Sequence, residues 1–312
     1  MINNSTDELM GPDFLDMLKR CCLCPRKCCV NRLKGELGFC KASKDVKIAK
    51  VSLHMWEEPC ISGAMGSGTV FFSNCNLRCV FCQNHEISYE DTGKTVSINR
   101  LSEIFLEQQH RGALNINLVT PTHYVPQIIE ALKIAKGNGL SIPILYNSNG
   151  YENIDTIKAL KGFIDVYLPD LKYYKDKYAI KYSKSPNYFS IASQAISEML
   201  SQVGEARFDD NDTIKKGVII RHLMLPGLLF DSKKVMDFIY NTFGDCVYIS
   251  LMNQYTPMYK ANEYPEINKA LNFNHYDALI DYCLKLGVTN CFIQEDGTAS
   301  KAFIPDFDLS GV

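Results

Sequence analysis

The sequence predicts an α/β protein: a parallel sheet with right-handed crossovers, curved into a full or partial (β/α) barrel, with a small Cys-rich module at the N-terminus. Three observations carry this. Seven short, continuously apolar runs bounded by Gly, Pro, Asn or Ser read as strands buried on both faces. Stretches with apolar residues every three or four positions alternate with them and read as helices. Ten of the thirteen cysteines crowd into the first 82 residues, which sets the N-terminal part of the chain apart.

Taken in order, residues 1–66 form the Cys-rich module, weak in periodicity and closed by the joint Gly63-Ala64-Met65-Gly66-Ser67-Gly68. Residues 67–295 carry the barrel. Its strands are expected at Thr69–Ser73, Ile116–Val119, Pro143–Asn147, Ile164–Leu168, Val218–Met224, Val247–Met252 and Asn290–Gln294. Helical spacing runs through Leu101–Leu106, Ile128–Ala135, Ile154–Leu160, Ala192–Val203, Val235–Phe243 and Tyr276–Leu286. Asn138-Gly139 and Gly287 stop two of these helices, as residues that tolerate a left-handed backbone do. Residues 296–312 are a short tail across the surface. In such folds ligands meet the C-terminal ends of the strands.

Composition narrows the function classes. The chain has 312 residues, with 33 Lys and Arg against 35 Asp and Glu, a formal charge of −2. No basic surplus exists to neutralise phosphates, so no nucleic-acid partner is expected. The apolar runs are too short to span a bilayer, and the acidic start, Met1–Lys19, lacks the pattern of a signal peptide. The expected compartment is the cytoplasm, with no membrane partner. There, clustered thiols read as metal or redox ligands before disulfides. Cys246, Cys283 and Cys291 lie in apolar stretches and read as small buried hydrophobes.

Directly after the first strand stands Asn74-Cys75-Asn76-Leu77-Arg78-Cys79-Val80-Phe81-Cys82-Gln83-Asn84, a CxxxCxxC spacing. An electron-transfer cluster takes four Cys ligands. Three thiolates hold three irons of a four-iron cluster and leave the fourth open to bind something else. The competing reading is a zinc site completed from elsewhere, for instance by His85. The spacing, with the aromatic Phe81 before the last Cys, resembles the signature of the radical S-adenosylmethionine (SAM) superfamily. The resemblance implies a 4Fe–4S cluster on Cys75, Cys79 and Cys82. It further implies that the open iron chelates the methionyl amine and carboxylate of S-adenosylmethionine, and that one electron cleaves the sulfonium to a 5′-deoxyadenosyl radical. It also implies an external reductant of the flavodoxin or ferredoxin type.

The likeness runs from about Cys21 to Asp306, through Glu57–Gly63, Gly66–Phe72, Asn115–His123, Val166–Lys172, Arg221–Gly227 and Leu251–Pro257. These segments resemble the pyruvate formate-lyase-activating-enzyme-related group. For the cofactor pocket the resemblance implies Phe81 and Asn84 beside the cluster. Thr120 and Thr122 stand where the superfamily often has Gly-Gly-Glu-Pro, although Thr122 is equally suited to capping a helix. Asn147, Ser148 and Asn149 stand where activating enzymes have Asp-Thr-Asn. Asp170 and Lys172 match an Asp-x-Lys motif, Lys172 also in a catalytic role. The implied reaction is hydrogen abstraction from a glycyl Cα of a protein partner, a glycyl radical enzyme. The alternatives are modification of a peptide or small metabolite, or a metal-binding electron carrier without turnover.

Other positions follow from the residues themselves. Arg221 lies inside an apolar run and is expected to face the barrel interior and a carboxylate; that of the cofactor is expected, in a catalytic role, with a purely structural partner as the alternative. His222 then points the other way, into the core. His123, Tyr124, Gln254 and Tyr255 follow strand ends and are expected to face the substrate. In the N-terminal module, Cys21, Cys24, Cys28 and Cys40 form a four-thiolate set suited to zinc or to a second iron–sulfur cluster, with free thiols or a redox pair as the alternative. His54–Cys60, with the chain's only Trp and two acids, joins module to barrel and either caps the cavity mouth or packs between the two.

Overall fold

The computed structural model describes residues 13–294 and 305–312. The first twelve residues of the acidic N-terminal stretch, and residues 295–304 with the start of the expected tail, lie outside the described residues. Among the described residues there are ten strands: β1 (Val46–His54), β2 (Ser67–Phe72), β3 (Lys94–Val96), β4 (Ile116–Val119), β5 (Ile144–Ser148), β6 (Val166–Pro169), β7 (Arg207–Phe208), β8 (Ile214–Leu223), β9 (Tyr248–Met252) and β10 (Cys291–Ile293). The helices are α1 (Pro59–Ser62), α2 (His85–Tyr89), α3 (Ile98–His110), α4 (Val125–Gly137), α5 (Ile154–Ala159), α6 (Asp176–Ser183), α7 (Tyr188–Val203), α8 (Leu229–Phe243) and α9 (Phe273–Leu286).

The sheet runs β10-β9-β8-β6-β5-β4-β2-β1-β3, with β7 beside β8. From β10 to β2 every neighbour is parallel, and these seven strands are the seven apolar runs of the sequence. Among the described residues β10 does not pair with β3 or β1, so the barrel is partial. Three strands were not anticipated. β1 and β3 add antiparallel strands at one edge, and β7 is a two-residue flank. In β1 the polar residues Lys47, Lys50 and Ser52 interrupt the apolar ones instead of leaving a continuous apolar run, as in a strand covered on one face near the edge of the sheet. The glycine cluster near residue 66 therefore falls within the sheet, in the connection between β1 and β2.

Strand pleat assigns the two faces. Tyr146, Tyr167, Val218 and Ile220 join the large core under the helices. Leu145, Val166, Leu168 and Ile219, one residue out of phase, pack inside the barrel with Cys60 and Ile61 of α1. α1 is hung at the N-terminal end of the sheet: Asn115 donates to the Ile61 carbonyl at 2.8 Å, and Ser67 donates to Asn115 at 2.6 Å. The barrel is thus closed below. α9 stops where the sequence says, at Gly287 in the left-handed region, and Asn272 caps its start. Of the tail, Phe307 packs against Phe71, and the backbone of residues 309–310 bonds β1.

One glycine is a test of how tightly the strand ends meet. Gly150, just past β5, has φ +76°, and a Cβ there would stand 2.2 Å from the Asp170 carbonyl oxygen. Gly150→Ala is expected to lose about 2–4 kcal/mol in urea unfolding; a loss below about 1 kcal/mol would mean the β5 and β6 ends separate freely.

Candidate active site

A cavity of about 490 Å³ fills the barrel between the C-terminal strand ends and α1. Its upper wall is the loop after β2, which carries Cys75, Cys79 and Cys82, all three lining the cavity. Each sulfur has a polar neighbour. Asn149 Nδ2 lies 3.5 Å from Cys75 Sγ, Ser183 Oγ 3.1 Å from Cys79 Sγ, and Ser88 Oγ 3.7 Å from Cys82 Sγ. Burial pushes the Cys75 thiol up to about 12 and the Cys79 thiol up to about 11, so neither ionises at neutral pH unaided. A bound cationic centre supplies the charge that ionises such thiols. Among the described residues no three His, Cys, Asp or Glu side chains are disposed around a single metal ion. A four-iron cluster asks for something different: each thiolate sits on its own iron, so the sulfurs stand wider apart. Three sulfur donors on one loop, two buried and Cys82 half-buried, with amide and hydroxyl neighbours, fit that group.

The strand ends supply the rest. Phe81 and Asn84 line the cavity with the cysteines. Thr120 also lines it and holds φ +58°, a strained conformation for a β-branched residue, pinned by its N–H donating to the Asn147 carbonyl at 2.9 Å. Asn147, Ser148 and Asn149 lie beside it, and Asn149 also donates to Asn76 at 2.7 Å. Asp170 accepts from Lys172 Nζ at 2.5 Å at the end of β6. Burial acts to lower the Lys172 pKa, but Asp170 and the Cys79 sulfur outweigh it, so the ammonium stays charged.

Several expectations are corrected. Thr122 is fully buried away from the cavity, and its hydroxyl donates to Glu152 Oε1 at 2.6 Å. His123 and Tyr124 are buried too: His123 Nε2 bonds the Ser73 carbonyl at 2.8 Å. Gln254 lines the cavity, whereas Tyr255 turns inward and donates to the Ile267 carbonyl at 2.8 Å. His222 is a core histidine between the Leu171 carbonyl and Ser232, as expected. Arg221 faces the interior, but its carboxylates are the protein's own. Nε donates to Glu58 Oε1 at 2.9 Å, and Nη2 donates to Glu58 and, at 2.5 Å, to Glu57. Burial works against the Glu58 carboxylate, yet Arg221 holds its pKa below the usual range. Glu57 and Glu58 were legible only as rim acids; the cue to their role was the buried arginine's need of a counter-charge. Ser183 and Ser88 carry no sequence signal.

The N-terminal residues dock on the cysteine loop. Phe39 lies under two guanidinium groups, Arg26 at 3.8 Å and Arg78 at 4.4 Å from its ring centre. Arg26 donates to the Asn76 carbonyl at 3.0 Å, and Arg78 donates to the carbonyls of Cys75, at 2.8 Å, and Phe39. Cys21, Cys24, Cys28 and Cys40 are neighbours: burial pushes Cys24 up to about 12, with Cys40 and Cys21 adding to it. They do not form the closed shell of one ion. Cys22 and Cys29 lie outside this set, their sulfurs 3.5 Å apart.

Comparison with known proteins gives the lineage. The family model of the radical SAM superfamily matches residues 69–239. An uncharacterized protein of Methanocaldococcus jannaschii is 32% identical over 296 residues, covering 89% of this chain and 80% of its own length. A Haemophilus influenzae protein named "Putative glycyl-radical enzyme activating enzyme" is 27% identical over 116 residues, covering 36% of this chain and 43% of its own. Among solved structures, Streptococcus suis SuiB bound to S-adenosylmethionine superposes with a TM-score of 0.50 at 15% identity, covering 72% of this chain and 49% of that one, and so shares the fold.

Glu152 sits behind the strand ends and generates a prediction. Burial raises its carboxyl to about 7, although Thr122, Ser148 and Tyr146 bond it. The unfolded chain ionises this group near the ordinary glutamate value of 4.5, while the native state keeps the proton to about 7. Native stability therefore falls as pH rises between those values. Glu152→Gln is expected to flatten the decline in urea midpoints between pH 5 and 7; an unchanged slope would assign the titration to another group.

Proposed function

The chain belongs to the radical SAM superfamily, and from that premise we propose that it cleaves S-adenosylmethionine reductively and abstracts hydrogen from a substrate held in the barrel. The family implies a 4Fe–4S cluster and S-adenosylmethionine. The observation that carries the reading is the set of three cysteines on one loop of the cavity wall, two buried and one half-buried, with no fourth Cys among the described residues lining the cavity. When bound, the cluster and cofactor supply a 5′-deoxyadenosyl radical by one-electron cleavage of the sulfonium.

This chain's own residues then have distinct tasks. Cys75, Cys79 and Cys82 hold the cluster. Asn149 and Ser183 orient two of the sulfurs and tune their basicity. Asp170 and Lys172 present both signs of charge to the zwitterionic methionyl end. Thr120, Asn147 and Ser148 offer polar partners to the rest of the cofactor. The walls exclude water from a radical that would otherwise be quenched. A flavodoxin or ferredoxin delivers the electron. The protein relative in Haemophilus influenzae supports a glycyl Cα of a protein partner as the site of abstraction. A cavity of about 490 Å³ closed from below favours, as a second reading, a peptide side chain or small metabolite.

The test is anaerobic reconstitution with iron and sulfide, then dithionite and S-adenosylmethionine, with 5′-deoxyadenosine measured by chromatography. Wild type is expected to form it. Cys79→Ala should keep the wild-type circular dichroism, lose most bound iron and drop cleavage to background. Cleavage at the wild-type rate in that variant would overturn the ligand assignment.

A further inference from the structure

The floor of the cavity holds more carboxylate than its cations neutralise. Arg221 and Glu58 satisfy one another as a fork, Nε to Oε1 at 2.9 Å and Nη2 to Oε2. Glu57 reaches the same Nη2 at 2.5 Å, so one guanidinium faces two carboxylates. Lys172, the cavity's other cation, is taken by Asp170 at 2.5 Å. His54 beside Glu57 is kept neutral chiefly by burial. Glu57 is the surplus charge.

An independent observation points the same way. Asn117 Nδ2 donates to Glu57 Oε1 at 2.7 Å. This fixes the amide, because the flipped orientation would set its carbonyl against a carboxylate. Asn117 is fully buried, and its Oδ1 has no hydrogen-bond partner. It shares the interior face of β4 with Val119, which lines the cavity. A surplus carboxylate and an orphaned acceptor lack the same thing, a donor that carries positive charge.

We propose that Glu57 and Asn117 recognise a cationic terminus of the substrate, a primary ammonium or a guanidinium, that reaches the cavity floor. This rests on the reading that the barrel holds a substrate beside the cofactor. α1 closes the barrel beneath, so the charged group must be an end and not the middle of a longer chain.

Trp56, the chain's only tryptophan, lines this cavity, and its emission serves as the readout. Reconstituted protein is titrated with 1-aminopentane, 1-pentanol and pentanoate, with and without saturating S-adenosylmethionine. The amine is expected to shift the emission saturably and to bind about tenfold or more tighter than the alcohol, with pentanoate weaker still. Glu57→Gln and Asn117→Ala, each checked by circular dichroism, should reduce that preference to near unity; should one fail to fold, the other decides. Equal binding of amine and alcohol to the wild type, or an intact preference in the folded variants, overturns the proposal. Loss of amine binding when S-adenosylmethionine is present would assign the acceptors to the cofactor's own ammonium and overturn it equally. The titration needs no turnover, so cleavage without amine preference refutes this inference alone, and amine preference without cleavage refutes the reaction.

Discussion

A guanidinium in the interior of a barrel must be answered by negative charge, and the way Arg221 is answered organises the molecule. It stands on β8 between fully buried Ile220 and the core histidine His222. Desolvating such an ion costs several kcal/mol, and removing one partner of a buried pair typically costs about 3–5 kcal/mol. The partners, Glu57 and Glu58, come from the segment between β1 and β2, on the far side of the sheet order from β8. The ion group therefore spans the barrel and fixes where α1 sits. With α1 in place the interior is closed below, and the polar layer above the apolar plug becomes a floor.

The opposite end of the cavity is fixed by different means. The loop after β2 must hold three sulfurs still while presenting them to the interior. It is clamped from outside by Arg26 and Phe39, Arg26 donating to the Asn76 carbonyl, and its own Arg78 ties it to Phe39 and to the Cys75 carbonyl. It is met from inside by Asn149 and Ser183. The N-terminal residues are thus part of the support of the cysteine loop.

Much of this was legible in the sequence. The seven parallel strands show as continuous apolar runs because both faces are covered, and the cysteine spacing together with its place after a strand named the chemistry. What was hidden has physical causes. β1 mixes polar and apolar residues because it is near the edge, and so it blends with the loop-like composition around it. Thr122 and Tyr255 follow strand ends as expected, but a position just past a strand says nothing of which way the side chain turns; both turned into the core to satisfy buried polar groups. For Arg221 the need of a carboxylate was readable and its owner was not, since Glu58 lies 163 residues away.

The partial closure of the barrel has a mechanical consequence. A fully closed sheet has a circumference fixed by its ring of main-chain bonds. Here the two margins that flank the gap, His54–Trp56 on one side and Phe292–Gln294 on the other, both line the cavity, with no main-chain pairing between them among the described residues. Widening that seam breaks no rung of the ladder, so its bore can adapt to guests of different girth while the cysteine loop and the acidic base keep their spacing.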